Sequence, residues 1–253
     1  MCAVTALPEH VAGIHAVREV LRARSRPIQY LALSQARQDA RLSELRQMAR
    51  QAGIAVRLLP PAALERLAGS ARHQGAVAVL AAKARLAVEE LLAQAPAPGL
   101  LVALDGIEDP HNLGAIVRSA AGAGAGGIIL PRRRAAPLGE TAARVSAGAI
   151  EYLPVAETAN ITAALEKTAA AGYWSVALEA GARQRYWDHD FRGPTVLVIG
   201  GEGAGLHRLV RERCDFAVSI PLAPGPESLN ASAAAAVVLF EIVRQRSGGP
   251  TQR

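Results

Sequence analysis

The chain is poor in cysteine and has no long apolar run. Cys2 and Cys214 are the only cysteines among 253 residues, so neither a disulfide framework nor a thiolate zinc site is expected. No stretch approaches the roughly 20 consecutive apolar residues of a membrane-spanning helix, and the first ten residues lack the pattern of a secretory signal. These absences predict a soluble, cytoplasmic protein that does not associate with membranes.

Lysine is equally scarce, because Lys83 and Lys167 are the only lysines among 28 basic residues. The net charge of +6 arises entirely from residues 1–98, which hold 13 basic and 7 acidic residues, whereas residues 99–253 hold 15 of each. Arginine suits phosphate binding and stacking on bases. A GC-rich genome could also explain the arginine content, but it does not explain the asymmetry. The charge distribution predicts that the N-terminal part meets a polyanion such as RNA.

The composition indicates two α/β domains joined by a connector. The Ala-Pro-Ala-Pro-Gly sequence at 95–99 is typical of an exposed linker. We therefore predict an RNA-binding domain over residues 1–82, a linker over 83–99 and a second domain over 100–253. Alternating helical and extended patterns before the linker predict a small α/β domain.

Short, almost wholly apolar runs after the linker predict a buried parallel sheet covered by helices on both faces. The predicted strands are Leu100–Leu104, Gly127–Leu130, Tyr173–Leu178, Thr195–Ile199 and Phe216–Ile220. The last helix, Leu229–Val243, is apolar almost all round. Such a helix must be buried on every side, and we expect it to lie within the domain and to pack against a second subunit.

Three glycines match the G-x-G-x-x-G pattern of dinucleotide-binding proteins, but their context does not. Gly122, Gly124 and Gly127 follow a predicted helix and precede a predicted strand. The fingerprint requires the opposite order, since phosphate binds at the start of a helix. We interpret these glycines as the end of a helix and a tight turn.

Three polar loops each follow a predicted strand, and the carboxyl end of a strand is where open α/β sheets bind ligands. The first loop leads into a helix that contains Asn112, with Arg118 lying off the apolar stripe of that helix. An isolated Asn at such a position is usually a helix N-cap. An isolated Arg is commonly a solvated surface residue.

The second and third loops carry the other candidate site residues. Four glycines surround Glu202 in residues 200–206 and permit close approach of the backbone to a ligand, although a mobile loop acid is an equally ordinary explanation. In the third loop Ser228 could cap the last helix. Asn230 and Ser232 enter that apolar helix and therefore need buried partners or a ligand.

As an ordered set, these segments resemble the SpoU branch of the knotted RNA methyltransferases over residues 100–246. The matching patterns are N-x-G-x-x-x-R at 112–118, G-x-E-G-x-G at 200–205 and S-L-N-x-S at 228–232. The N-terminal part resembles the ribosomal protein L30e-like RNA-binding domain found in front of such enzymes, on the signatures at 13–17 and 73–75.

The resemblance implies an α/β trefoil-knot domain that works as a homodimer. It implies S-adenosylmethionine as methyl donor, no metal, and ribosomal RNA as partner, with the ribose 2′-hydroxyl of a 23S guanosine as the methylated group. The implied cofactor-binding residues are Gly200, Ile220 and Leu229. The implied catalytic residues are Arg118, Asn112, Glu202, Ser228 and Asn230. The Pro226-Glu227 pair before Ser228 departs from the family pattern, which leaves the nucleotide open.

Two other substrates and one other class of function fit the same motifs. A transfer RNA ribose methyltransferase or a resistance-type ribosomal RNA methyltransferase of the same branch would carry similar residues. The N-terminal domain favours ribosomal RNA over the simplest transfer RNA enzymes, which lack it. A non-catalytic RNA-binding or ribosome-assembly factor would not need all five catalytic positions.

Overall fold

The computed structural model describes residues 9–37, 39–81, 85–203, 205–224 and 228–248. The helices and strands, in chain order, are β1 (Glu9–Ala12), α1 (Ile14–Ala23), β2 (Ile28–Ser34), α2 (Ala40–Gln51), β3 (Val56–Leu59), α3 (Pro61–Ala68), β4 (Ala76–Leu80), α4 (Val88–Gln94), β5 (Leu100–Asp105), α5 (Pro110–Gly122), β6 (Gly127–Pro131), α6 (Glu140–Val145), β7 (Val155–Thr158), α7 (Ile161–Ala170), β8 (Trp174–Leu178), β9 (Gln184–Arg185), β10 (Thr195–Gly200), α8 (Arg208–Arg213), β11 (Phe216–Ser219) and α9 (Ala231–Ser247). The chain divides into two compact units.

The first unit contains Met1–Ala84 together with Leu138–Tyr152. Its four strands form a sheet in the order β1-β4-β2-β3, in which β2 and β3 are parallel and the other neighbours are antiparallel. The alternating pattern predicted from the sequence is found here, with β1 as an additional strand. The sheet is a small α/β arrangement whose core includes Leu31, Leu64 and Val77.

Residues 138–152 join this unit although residues 85–137 separate them from its other part. The Arg26 guanidinium makes a paired contact with the Glu151 carboxylate, with N···O distances of 2.9 and 3.1 Å. Both side chains are buried, and Ser25 Oγ donates a third hydrogen bond to Glu151 at 3.0 Å. Tyr152 donates to Glu19 at 2.7 Å, and burial together with this bond raises the pKa of Tyr152 to about 12.

The second unit contains Arg85–Pro137 and Leu153–Arg253. Seven strands form a sheet in the order β7-β6-β5-β10-β8-β11-β9, and all of the described pairings are parallel. The five predicted strands correspond to β5, β6, β8, β10 and β11, because apolar runs of this length suit strands buried on both faces. The segment interpreted as a linker contains helix α4, whose Leu91 is fully buried.

The G-x-G-x-x-G context is confirmed to be the reverse of a nucleotide site. Helix α5 ends at Gly122, and β6 begins at Gly127 after a turn in which Gly124 has a φ of +73°. A Cβ at Gly127 would overlap the Leu91 side chain. Close packing of α4 on β6 therefore explains this glycine.

Helix α9 is less enclosed than its sequence predicts. Val238, Leu239 and Ile242 are fully buried, and α9 packs against α5 and β10. Val237 and Phe240 are nevertheless 37% and 51% exposed. One chain therefore leaves part of α9 exposed, and the predicted packing of this helix against a second subunit stays a prediction. No helix within the described ranges is long and apolar enough to cross a membrane.

Candidate active site

The three predicted loops lie at one edge of the parallel sheet. Strands β5 and β10 are neighbours in matching register, so that Asp105 lies opposite Gly200, each at the carboxyl end of its strand. The loop before α9 begins after β11, which belongs to the same sheet. Parallel strands end at the same edge, so this topology gathers the polar loops there.

Asn112, Glu202 and Asn230 form one hydrogen-bonded cluster. The Asn112 side-chain amide donates to Glu202 Oε1 at 2.8 Å. The Asn230 amide donates to the same oxygen at 2.5 Å and to Asn112 Oδ1 at 3.0 Å. Asn112 is 90 positions from Glu202 and 118 from Asn230 along the chain, and Asn112 is buried. The cluster satisfies the polar groups of Asn112 and fixes one carboxylate oxygen at the edge of the sheet.

The N-caps of helices α5 and α9 explain why the side-chain NH₂ groups of Asn112 and Asn230 can form the cluster. Asp109, not Asn112, is the N-cap of α5, since its side chain accepts from the backbone N–H of His111. The N-cap interpretation of Asn112 is therefore wrong, and its side chain points to the cluster instead. Asn230, in contrast, is both a helix N-cap and a member of the cluster.

Asn230 is the N-cap of α9, so the alternative that Ser228 caps this helix is also wrong. Its Oδ1 accepts from the Ser232 backbone N–H at 2.9 Å and from the Ser232 hydroxyl at 2.6 Å. Because the oxygen faces the helix, the NH₂ group faces Glu202. This contact also gives the polar Ser232 side chain a hydrogen-bond partner within the apolar helix α9.

A cavity of about 670 Å³ lies beside the cluster, at the ends of β8, β10 and β11. Its lining includes the three predicted cofactor-binding residues, three of the predicted catalytic residues, apolar side chains and one further acid: Gly200, Ile220, Leu229, Glu202, Ser228, Asn230, Leu178, Leu206 and Glu179. The volume is in the range of small-molecule sites. Glu179 pairs with Arg211 at 3.0 Å, and sequence reasoning missed both.

Two glycines of the second loop have a packing role, and the predicted close approach of this loop to a ligand stays a prediction. A Cβ at Gly200 would overlap the backbone of Gly205, and a Cβ at Gly201 would overlap the Gly106 carbonyl. The Gly205 N–H donates to the Gly201 carbonyl at 3.0 Å. These two glycines thus allow the loop to fold back on itself and pack on the neighbouring loop, which shapes the wall of the cavity.

Arg118 is not brought to the cluster. It is exposed on α5, six residues beyond Asn112, which places it about 9 Å further along the helix and about 120° round its axis. It is not among the residues that line the cavity. Within the described ranges no carboxylate pairs with it, so its guanidinium is available to a ligand.

Sequence reasoning also missed a second polar pair, formed by Asp105 and His207. Asp105 is buried and accepts from the His207 backbone N–H at 2.8 Å, and His207 Nδ1 lies 3.0 Å from its other oxygen. The position of Asp105 at the end of an apolar strand could have identified it as a candidate site residue from the sequence. No sequence pattern pointed to His207. Among the described residues there is no group of three His, Cys, Asp or Glu side chains placed to hold a metal ion.

Two family models match the chain. The SpoU rRNA Methylase family covers residues 99–240, and the RNA 2′-O ribose methyltransferase substrate binding family covers residues 10–86. The resemblance drawn from the three motifs and from the N-terminal signatures is thereby confirmed at the level of the family.

Three similar proteins agree with these matches. The 23S rRNA (guanosine-2′-O-)-methyltransferase RlmB of Ralstonia nicotianae is 42% identical over 95% of this chain and 97% of its own length. A protein of Mycolicibacterium vanbaalenii named as an uncharacterized tRNA/rRNA methyltransferase is 47% identical over 94% of this chain and 77% of its own.

A solved structure, the SpoU methyltransferase AviRb of Streptomyces viridochromogenes in complex with the cofactor AdoMet, has a TM-score of 0.82 at 29% identity. The match covers 96% of this chain and 92% of that one. On the family models and the relatives together, the chain belongs to the SpoU rRNA methylase family.

Proposed function

We propose that this chain transfers a methyl group from S-adenosylmethionine to the 2′-hydroxyl of a ribose in ribosomal RNA, with a guanosine of 23S rRNA as the target. The observation that carries the proposal is the convergence of Asn112, Glu202 and Asn230 into one hydrogen-bonded cluster beside a cavity of cofactor size. The 42% identity with the Ralstonia enzyme over nearly the whole of both chains supports the substrate.

The cavity suits the methyl donor. Apolar walls at Leu178, Leu206 and Leu229 accommodate a flat aromatic base, and the Glu202 carboxylate favours a cationic sulfonium nearby. Gly200 and Ile220 present main chain to the same space. The donor supplies a methyl group already activated by the positive sulfur, so the proposal includes no metal.

In the transfer, the ribose 2′-oxygen forms a bond to the methyl carbon while the carbon–sulfur bond breaks, leaving a neutral thioether. The hydroxyl proton leaves to an acceptor that we do not assign. We assign Arg118 to the RNA, where it orients the hydroxyl and an adjacent phosphate. A guanidinium remains protonated in proteins and is therefore a donor and not a base.

The active form in this proposal is a homodimer through the second unit. Ala233, Val237 and Phe240 on α9 are exposed at a spacing that places them on one face of the helix. A second copy would bury this apolar stripe by a two-fold contact, the commonest symmetry of soluble oligomers. The trefoil knot implied by the family resemblance is also part of the proposal.

The first unit is proposed to bind RNA as an L30e-like domain in the cytoplasm. The domain limits 1–82, 83–99 and 100–253 are part of the proposal, with residues 138–152 packing on the first unit. The positive charge of residues 1–98 supports this assignment. Low cysteine content supports the location. Lys83 at the start of the linker and the Pro226-Glu227 pair lie outside the described residues.

The test is transfer of labelled methyl from S-adenosylmethionine to 23S rRNA and to bulk transfer RNA, with mapping of the methylated ribose. We expect a single labelled guanosine in 23S rRNA. Label in transfer RNA would retain the chemistry and overturn the substrate, which the name of the Mycolicibacterium relative leaves open. Absence of label in both would favour a non-catalytic RNA-binding factor.

A further inference from the structure

A second cavity lies at the same edge of the sheet, on the other side of the glycine-rich loop. Its volume is about 720 Å³, and its lining includes Asp105, Pro131 and Asn160, which stand at or just after the ends of β5, β6 and β7. The cofactor cavity lies at the ends of β8, β10 and β11. Because β5 and β10 are adjacent, the two cavities are neighbours along the strand order.

Two exposed arginines line the second cavity. Arg133 and Arg134 belong to a run of three exposed arginines that follows β6 directly. No carboxylate within the described ranges pairs with either of them. The two acids of the lining are already engaged, since Asp105 bonds to His207 and Glu166 lies 3.6 Å from the Arg213 guanidinium. Both acids of the lining therefore have partners, whereas the two exposed guanidinium groups have no acid partner among the described residues.

His207 holds one of these cations in place. With Nδ1 bound to the buried Asp105 at 3.0 Å, the ring is fixed, and its Nε2 lies 3.4 Å from Arg134 Nη1. The Arg134 backbone is in the left-handed region, with a φ of +57°, which is uncommon for a residue other than glycine. Asp105 and His207 thus act as positioning residues for the Arg134 guanidinium, which remains exposed.

We infer that this cavity binds phosphates of the RNA strand next to the methylated ribose, through Arg133 and Arg134. The inference rests on the proposed function for the identity of the strand. Guanidinium groups make strong paired hydrogen bonds to phosphate oxygens. Neighbouring strands are about 4.8 Å apart, so β6 and β8, three steps apart in the sheet, are separated by roughly 14 Å. A few nucleotides of single-stranded RNA reach from one cavity to the other.

The test measures the salt dependence of RNA binding by the full chain carrying Arg133→Ala and Arg134→Ala together. The probe is a 23S rRNA fragment, and the matched control is Arg192→Ala. Arg192 is also exposed but precedes β10, at the opposite edge of the same sheet, where it pairs with Asp190. All three positions are on the surface, so folding should be preserved.

Each phosphate contact contributes about 0.7 to 0.9 to the slope of log K against log salt. We expect the slope of the double variant to be smaller in magnitude by about 1.4 to 1.8, with S-adenosylmethionine affinity unchanged and the Arg192→Ala slope equal to that of the wild type. His207→Ala should reduce the slope by less than Arg134→Ala alone does, because it frees the guanidinium without removing it.

A slope in the double variant equal to that of the wild type overturns the inference, even if binding is weaker. Methyl transfer by the wild-type protein is measured on the same RNA. If the wild type transfers no methyl while the double variant loses slope, the proposed function fails and the phosphate site stands. If the wild type transfers methyl and the slope of the double variant is unchanged, the proposed function stands and the phosphate site fails.

Discussion

Replacing Asn230 by Asp tests whether the Asn112–Glu202–Asn230 cluster serves the reaction or only the start of α9. Aspartate is as good an N-cap as asparagine, so the bonds to the Ser232 and Ala233 amides are kept. The donor that lies 2.5 Å from Glu202 becomes a second carboxylate oxygen. The substitution therefore alters the cluster and leaves the cap intact.

The expected magnitude follows from the geometry. Two unit charges about 3 Å apart repel by about 1.4 kcal/mol in bulk water and by about 5.5 kcal/mol at an effective dielectric constant of 20. The lost bond to a charged acceptor adds about 1.5 to 3 kcal/mol. Glu202 is exposed, so the lower end of the repulsion applies. We expect at least a tenfold loss of kcat/KM at pH 8, which corresponds to about 1.4 kcal/mol.

Methyl transfer and thermal unfolding are measured for Asn230→Asp, Asn230→Ser and Asn230→Ala. Only the alanine variant should lose the cap, at about 1 kcal/mol of stability. The activity of Asn230→Asp relative to the wild type should rise as the pH falls from 8 towards 6, because a proton shared by the two carboxyls restores a donor. Wild-type turnover in Asn230→Asp at pH 8 would refute the role of the cluster. A stability loss equal to that of the alanine variant would assign the effect to the helix.

Three other substitutions probe separate parts of the chain. Arg118→Ala should abolish turnover, while its affinity for S-adenosylmethionine, measured by calorimetry, stays within a few-fold of the wild type. The control Arg192→Ala should change neither quantity. Loss of cofactor binding in Arg118→Ala would contradict a role of Arg118 on the RNA side. Glu151→Ala removes the carboxylate that pairs with the buried Arg26 guanidinium and should lower the free energy of unfolding by about 3–5 kcal/mol, against less than about 1 kcal/mol for the exposed Glu212→Ala control, both measured by chemical denaturation. Phe240→Glu should convert the proposed dimer to monomer in sedimentation velocity, and an unchanged dimer would exclude the α9 stripe as the interface.

The amino-acid sequence by itself determined most of the strands, several helices and the identity of the family. Runs such as Leu100–Leu104 and Thr195–Ile199 are apolar because both faces of a parallel strand are buried, and that pattern is local. The three motifs were likewise readable, since each lies within a few residues of a strand end. Strands β7 and β9 were not predicted, because strands of four and two residues are too short to show a periodic pattern in the sequence.

Only the tertiary structure decided which polar groups meet. Asn112 and Glu202 are 90 residues apart, and the pairing of β5 with β10 brings their loops together. The same holds for Asp105 with His207 and for Glu151, whose segment returns to the first unit to pair with Arg26. Composition and periodicity describe neighbours along the chain, whereas a hydrogen bond between distant side chains depends on strand order and on the direction in which each loop leaves the sheet.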